Sequence, residues 1–199
     1  GLLDPEEDAV VALAADAPAG PVDHRYLRER RVPVVRLAAA RLVDRDIDAV
    51  RGFADDNDWA DEWARFAAQK AGNGGAAWWE WAPGVDDDRV AEELALQLLF
   101  ARQWSRLREA SAAAGVGLIG DLPIFVSHGS ADVWAHQDLF RLGPDGTPTV
   151  VTGAPPDAFT PMGQKWGHPH YDNSAHAASG FAWWRERFAS LFDYVDAVR

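Results

Sequence analysis

The stretch Leu118-Ile-Gly-Asp121-Leu-Pro-Ile-Phe-Val126 constrains the fold of this chain more than any other. Apolar residues flank one carboxylate almost without a break, and the run opens into the polar loop Ser127-His-Gly-Ser130. Such a run fits a parallel strand covered on both faces, where every side chain meets apolar surface. A long helical pattern from Asp86 to Ala114 precedes it, so helix and strand alternate and the class reads as α/β. Asp121 is badly placed for stability, because burying a carboxylate without partners is costly. Two readings stand: a side chain that caps the loop through backbone N–H groups, or a functional acid at a strand end.

A second segment carries more chemistry than a linker needs. From Gly153 to Tyr171 the chain shows neither helix nor strand period and is crowded with Pro and Gly. It nevertheless holds Asp157, Phe159, Gln164, Trp166 and Tyr171. Long structureless loops inside compact domains are uncommon and usually functional. Rings alternating with amide and carboxylate groups suit a sugar, whose apolar face stacks on the rings while its hydroxyls bind the polar groups. The bland reading is a Trp and a Phe folded back as a local core. The run His168-Pro-His170-Tyr-Asp172-Asn-Ser-Ala-His176 also offers a metal-ligand pattern, which needs three converging ligands to count.

Elsewhere the pattern is mostly helical. Helices are expected over Pro5 to Ala15, over Asp23 to Val43 with an interruption at Pro33, over Asp46 to Phe53 and over Trp59 to Lys70. Trp59, Trp63 and Phe66 recur at helical spacing and read as core. Gly72-Asn-Gly-Gly75 reads as a hinge, and Trp78-Trp-Glu-Trp81 as a packing turn. Asp88 is placed to cap the Asp86 to Ala114 helix, and Gly115 to end it. Val90, Leu94, Gln97, Leu98, Ala101 and Leu107 trace its stripe. A helical turn over Trp134 to Phe140 and a hairpin over Arg141 to Val151, turning at Asp145-Gly146, come next. The last elements are a helix over Gly180 to Phe192 and a strand from Tyr194 to Arg199.

Composition narrows the function. The chain has 199 residues, 48% of them hydrophobic, which is enough for a sizeable core. A net charge of -12 argues against nucleic acid, because phosphate binding needs concentrated Lys and Arg. The acidic balance fits either a salt-adapted surface or ordinary acidic bias. Without cysteine there is no disulfide or thiolate chemistry, which is compatible with a cytoplasmic protein. No apolar run approaches the ~20 residues of a membrane span.

Several ordered motifs then make one match. Ile119-Gly-Asp-Leu-Pro-Ile-Phe-Val126, Ser130-Ala-Asp-Val-Trp-Ala135, Pro148-Thr-Val-Val151, Pro155-Pro-Asp157 and Gly163-Gln-Lys-Trp-Gly167 resemble the amylomaltases, the 4-alpha-glucanotransferases of glycoside hydrolase family 77. The resemblance is strong from about Trp59 to Arg199 and weaker before it. The chain departs from the family at His168-Pro-His-Tyr171, where Asn-Pro-Leu-Tyr is usual, and at Asn173, where Trp is common.

What the resemblance implies is specific. The fold would be part of a (β/α)8 TIM barrel, with a helix-rich insertion over 1–85, the barrel portion over 86–199, and a long substrate loop over 127–173. The reaction would be retaining transfer of alpha-1,4-glucan segments between maltooligosaccharides through a glycosyl-enzyme intermediate. It needs no cofactor and no metal. Asp121 would position the sugar, and Asp157, Phe159, Gln164 and Trp166 would grip the donor and acceptor units. Arg199 would hold a nucleophilic Asp expected two residues further on, in the family's Arg-Ile-Asp-His motif, with the general acid/base Glu later still. The 199 residues would then be an internal piece of an enzyme, inactive alone. A glucan-binding module without catalysis is the alternative outside enzymes.

Overall fold

The computed structural model describes residues 2–4, 7, 10–12 and 20–199. Residues 10–12 are helical, and the rest of the helix expected over Pro5 to Ala15 lies outside the described residues save Glu7. The chain forms two compact units, one of 1–72 with 84–102 and one of 73–83 with 103–199.

The first unit is helical. His24–Tyr26 starts a helix whose cap, Asp23, accepts from the Arg25 and Tyr26 amides. The five-residue π segment Leu27–Arg31 then leads into α1, Val32–Arg45, with Pro33 in the first turn of the α-helical part. Pro33 was expected to interrupt the helix; the helix instead continues. A first-turn position tolerates a residue with no N–H, and the π segment re-spaces the preceding bonds. Next come α2, Ile47–Asp55, capped by Asp46, then α3, Asp58–Gly72, and α4, Asp87–Ala113.

The core of this unit joins Leu42 of α1, Val50 of α2, Ala60, Ala64 and Ala68 of α3, and Leu94 and Leu98 of α4, among others. Trp59 packs at its edge against Phe53, Phe66 is buried, and Trp63, beside Phe66, keeps 37% of its surface exposed. The most buried face of α3 is thus its alanine row, because a methyl side chain lets helices approach more closely than an indole does. The buried Glu93 is matched by Arg36 at 2.8 Å, as a buried charge requires. The cap of α4 is Asp86, which accepts from the Asp88 and Arg89 amides, so Asp88 does not take the role its position suggested. The helix stops at Gly115, in the left-handed region at φ 70°.

The second unit is α/β. After α4, Ile119–Gly120 forms β1, and α5 spans Ala131–Ala135 with Ser130 as its cap. A 3-10 turn at Gln137–Leu139 follows, so the helical turn expected from Trp134 starts earlier and divides in two. Strands β2, Val151–Ala154, and β3, Gln164–Pro169, make an antiparallel pair with an irregularity between Val151 and Gly153. Then come α6, Asn173–Ala178, α7, Ala182–Tyr194, and β4, Ala197–Val198. Strands β1 and β4 run parallel, Ile119 beside Ala197 and Gly120 beside Val198. Each follows a helix, the arrangement expected for helix–strand units.

Two local readings change. The apolar run around Asp121 is not a long strand buried on both faces: the strand is short, Ile119 is 77% exposed and Ile124 68% exposed. Its one hydrogen-bonded neighbour among the described residues is β4, so little sheet covers it. The segment read as structureless from Gly153 to Tyr171 contains most of a β-hairpin. Its Gly residues hide the period: a Cβ on Gly153 would lie 2.2 Å from the Gln164 carbonyl oxygen, a closeness only glycine allows. The smaller turn at Asp145-Gly146 forms as expected, closed by the Leu142–Pro148 bridge. Among the described residues no helix is long and apolar enough to cross a membrane.

Candidate functional site

Asp121 directly follows β1, and Arg199 directly follows β4. Because the two strands are parallel and in register, both residues emerge at the same end of the pair. The Arg199 amide donates to the Gly120 carbonyl at 2.9 Å, and the Leu122 amide donates to the Arg199 carbonyl at 3.2 Å. The side chains then meet as a two-pronged pair: Nε donates to Oδ1 at 2.8 Å and Nη2 to Oδ2 at 2.7 Å. That geometry is the strong, orienting form of an arginine–carboxylate contact. It raises the Arg199 pKa above its ordinary value, chiefly through the hydrogen bonds to Asp121. Both side chains remain open, Arg199 at 82% and Asp121 at 62%, so the pair fixes direction more than it adds stability.

Asp196 secures the opposite end of the strand pair, where β1 and β4 begin. Its Oδ2 accepts the Leu118 amide at 2.7 Å, and Arg108 reaches its Oδ1. The backbone bond from Leu118 holds the Asp196 carboxyl below the ordinary range.

The β2–β3 hairpin carries the other expected residues. Asp157 turns its loop tightly: Oδ1 accepts from the Phe159 amide, the Thr160 amide and the Thr160 hydroxyl at 2.8, 2.6 and 2.8 Å. These bonds, Thr160 first, hold its carboxyl below the usual value. Asp157 is therefore occupied in shaping the tip, which leaves Phe159 92% exposed. Gly163, at φ 68°, passes so close to Ala154 that a Cβ would lie 2.6 Å from the carbonyl oxygen. On β3 the Trp166 indole N–H donates to Gln164 Oε1 at 2.9 Å, which fixes both side chains on one exposed face. Asp121 and Arg199 therefore come together at the strand ends, while Asp157, Phe159, Gln164 and Trp166 share the hairpin.

The histidine run does not make a metal site. Among the described residues no three His, Cys, Asp or Glu side chains are arranged to hold a metal ion. Asp172 spends Oδ1 on capping α6 through the Ser174 and Ala175 amides, and His176 is 1% exposed among aromatic rings. The Trp78-Trp-Glu-Trp81 turn packs as expected: the Trp78 indole donates to the His128 carbonyl at 2.7 Å, and Trp79 stacks on the His128 ring.

Tyr171, legible in the sequence only as one ring of the Pro/Gly-rich segment, joins distant elements. Its hydroxyl donates to the Ile124 carbonyl at 2.5 Å, and its ring meets those of Phe125, Phe140, His176, Trp183 and Trp184. Arg187 lies over Trp183, 4.6 Å from the ring centroid, and donates to the Pro123 carbonyl. The available signal was a tyrosine closing a Pro/Gly-rich segment just ahead of a Trp-rich helix.

Known proteins resemble this chain in sequence and in fold. The family model described as 4-alpha-glucanotransferase, glycoside hydrolase 77, matches residues 3–199. The chloroplastic/amyloplastic 4-alpha-glucanotransferase of Solanum tuberosum is 34% identical over 100% of the chain and 37% of its own length. The 4-alpha-glucanotransferase of Thermus thermophilus is 34% identical over 92% of the chain and 40% of its own length. Among solved structures, an amylomaltase from Streptococcus agalactiae in complex with acarbose superposes with a TM-score of 0.84 at 30% identity, over 93% of the chain and 42% of that protein. The chain thus spans about two-fifths of the length of such relatives. With motifs, fold and near-complete family match in agreement, the chain belongs to glycoside hydrolase family 77, the 4-alpha-glucanotransferases.

Proposed function

We propose that the protein carrying these residues is a retaining 4-alpha-glucanotransferase that moves alpha-1,4-glucan segments between maltooligosaccharides. The observation that carries this reading is the two-pronged Asp121–Arg199 pair at the shared end of β1 and β4. In a (β/α)8 barrel, which we take the intact fold to be, strand C-terminal ends are where the site residues gather. Residues 86–199 then supply the barrel portion with its loop over 127–173, and residues 1–85 a helical insertion.

The chemistry requires two carboxyl groups in sequence. A nucleophilic carboxylate attacks the anomeric carbon as a carboxylic acid protonates the departing oxygen. The 4-hydroxyl of an acceptor glucan, deprotonated by the same acid/base group, then displaces the carboxylate and restores the configuration. No cofactor or metal takes part. We place the nucleophile and the acid/base outside these 199 residues. Asp121 binds hydroxyls of the sugar at the cleavage point, held in line by Arg199, which also lies next to the nucleophile. Gln164 and Trp166 grip glucose units on either side, Phe159 offers a stacking ring at the hairpin tip, and Asp157 shapes that tip. A hairpin over the bound glucan excludes water and so favours transfer over hydrolysis. We take the protein to act in the cytoplasm.

The test is incubation of the full-length protein with maltotriose. Glucose together with maltopentaose and longer products is the expected outcome. Retention of amylose without any turnover would instead identify a glucan-binding module, and neither turnover nor binding would reject the reading.

A further inference from the structure

The backbone that follows Asp121 is tied down at consecutive carbonyls by side chains from distant elements. The Pro123 carbonyl accepts from Arg187 Nη1 of α7 at 3.3 Å, and the Ile124 carbonyl accepts from the Tyr171 hydroxyl at 2.5 Å. Just before them, the Leu122 amide is held by the Arg199 carbonyl. The segment thus has fixed points at Leu122, Pro123 and Ile124, directly after the carboxylate that the sugar site needs. The two carbonyl bonds matter because Pro123 and Ile124 are exposed and lie beyond the end of β1 at Gly120.

Both tethers are themselves held rigidly. The Arg187 guanidinium lies over Trp183 and beside Trp184, at 4.6 and 5.4 Å from the ring centroids, a cation–π placement that fixes its plane. Tyr171 is wedged among Phe125, Phe140 and Trp184, and burial pushes its hydroxyl up to about 12, so it stays a donor across the working pH range. Tyr171 also follows β3 closely, and its neighbour His170 takes the Arg141 amide through its carbonyl at 2.8 Å. One residue therefore binds the base of the Gln164–Trp166 hairpin to the Asp121 segment.

We propose that Tyr171 and Arg187 are positioning residues, which fix the Pro123–Ile124 backbone and through it the direction of Asp121 toward the sugar. This rests on the reading of Asp121 as a sugar-binding acid. Each tether reaches the segment through a backbone carbonyl, so on this reading its loss acts through Asp121.

The test uses the full-length enzyme on maltotriose with Tyr171→Phe, Arg187→Met, Arg187→Lys and Asp121→Asn, singly, and with Tyr171→Phe combined with Asp121→Asn. Tyr171→Phe keeps the ring in its cluster and removes the hydroxyl with its bond to Ile124 and its contact with Arg187, so kcat should fall about fivefold with KM nearly unchanged. Arg187→Met should behave likewise, and Arg187→Lys, which retains a donor, should recover part of the loss. In the Asp121→Asn background, Tyr171→Phe should lower kcat no further. Thermal melting of each variant separates loss of folded enzyme from loss of alignment. If Asp121→Asn lowers kcat but Tyr171→Phe either has no effect or lowers kcat by the same factor in both backgrounds, the positioning role is wrong and the reading of Asp121 stands. Wild-type kcat for Asp121→Asn would overturn both.

Discussion

Arg199 and Asp121, 78 residues apart in sequence, meet side by side through two parallel hydrogen bonds of 2.8 and 2.7 Å at the end of one parallel strand pair. The contact follows from register: with Gly120 opposite Val198, the next residue on each strand is forced alongside the other. Its value lies in direction. Each oxygen of Asp121 accepts one hydrogen bond from the guanidinium and keeps capacity to accept another.

Replacing Arg199 by Lys keeps the charge but loses the fork. In the full-length enzyme kcat on maltotriose should drop about tenfold or more, because a single ammonium cannot fix the plane of the carboxylate. The melting temperature should move by no more than about a degree or two, since the pair is open to solvent. Unchanged kcat in Arg199→Lys would show that the fork does not orient Asp121.

Trp166 should fail in a different way from Asp121. Its indole is fixed by Gln164 on an exposed strand face, and stacking of a sugar on it would be worth about 0.5–1.5 kcal/mol. Trp166→Ala should raise KM for maltotriose about tenfold and shift products toward hydrolysis, whereas Asp121→Asn should act mainly on kcat. Following glucose and longer oligosaccharides together measures both. A Trp166→Ala enzyme with the original KM and transfer ratio would make the indole a packing element.

Gly153→Ala should break the hairpin. The new methyl would sit 2.2 Å from the Gln164 carbonyl oxygen, and backbone atoms cannot swing aside as a flexible side chain can. The hairpin strands must separate, at a cost of about 1–3 kcal/mol. Limited proteolysis should then cut between Pro155 and Gly163 faster than in the wild-type protein. Equal protection of the two proteins would contradict the close approach.

His176 should make stability fall in mild acid. Burial lowers its pKa below the ordinary 6.5, so on acidification the unfolded chain binds a proton that the folded chain resists. Its contribution is therefore unchanged above about pH 6.5 and becomes increasingly unfavourable as pH falls below that value. Asp157, Asp172 and Asp196 act in a separate window. Their folded pKa values lie below the ordinary 3.8, so their stabilisation is present above that value and lost as pH falls through the depressed values. Urea midpoints measured from pH 8 to pH 4 should decline below pH 6.5 in the wild type and stay flatter in His176→Phe, whose ring suits the same aromatic surroundings. Parallel curves would place the acid-labile group elsewhere.

Much of this architecture is legible in the residues alone. Helices α1 to α4 and α7 follow from apolar spacing, and the ends at Gly115 and Asp145-Gly146 from backbone chemistry, because both signals are local. The helix–strand order and the family motifs likewise need no partner to be read. The cap of α4 was misplaced by two residues because Asp86, Asp87 and Asp88 are all competent and only the backbone path selects one. The hairpin was hidden because Gly153 and Gly163, chosen for close approach, erase the alternation that marks a strand.

By itself the sequence determined the class, the family and the residue types a sugar site requires. Tertiary structure alone decided how they are joined: Arg199 on Asp121 through strand register, Asp157 committed to its own turn, His176 enclosed by rings, and Tyr171 reaching the Ile124 carbonyl from 47 residues away. The physical reason is range. Periodicity and turn propensity are set by neighbours a few residues apart, whereas a side chain's partner is whichever group the packed elements bring within hydrogen-bond distance.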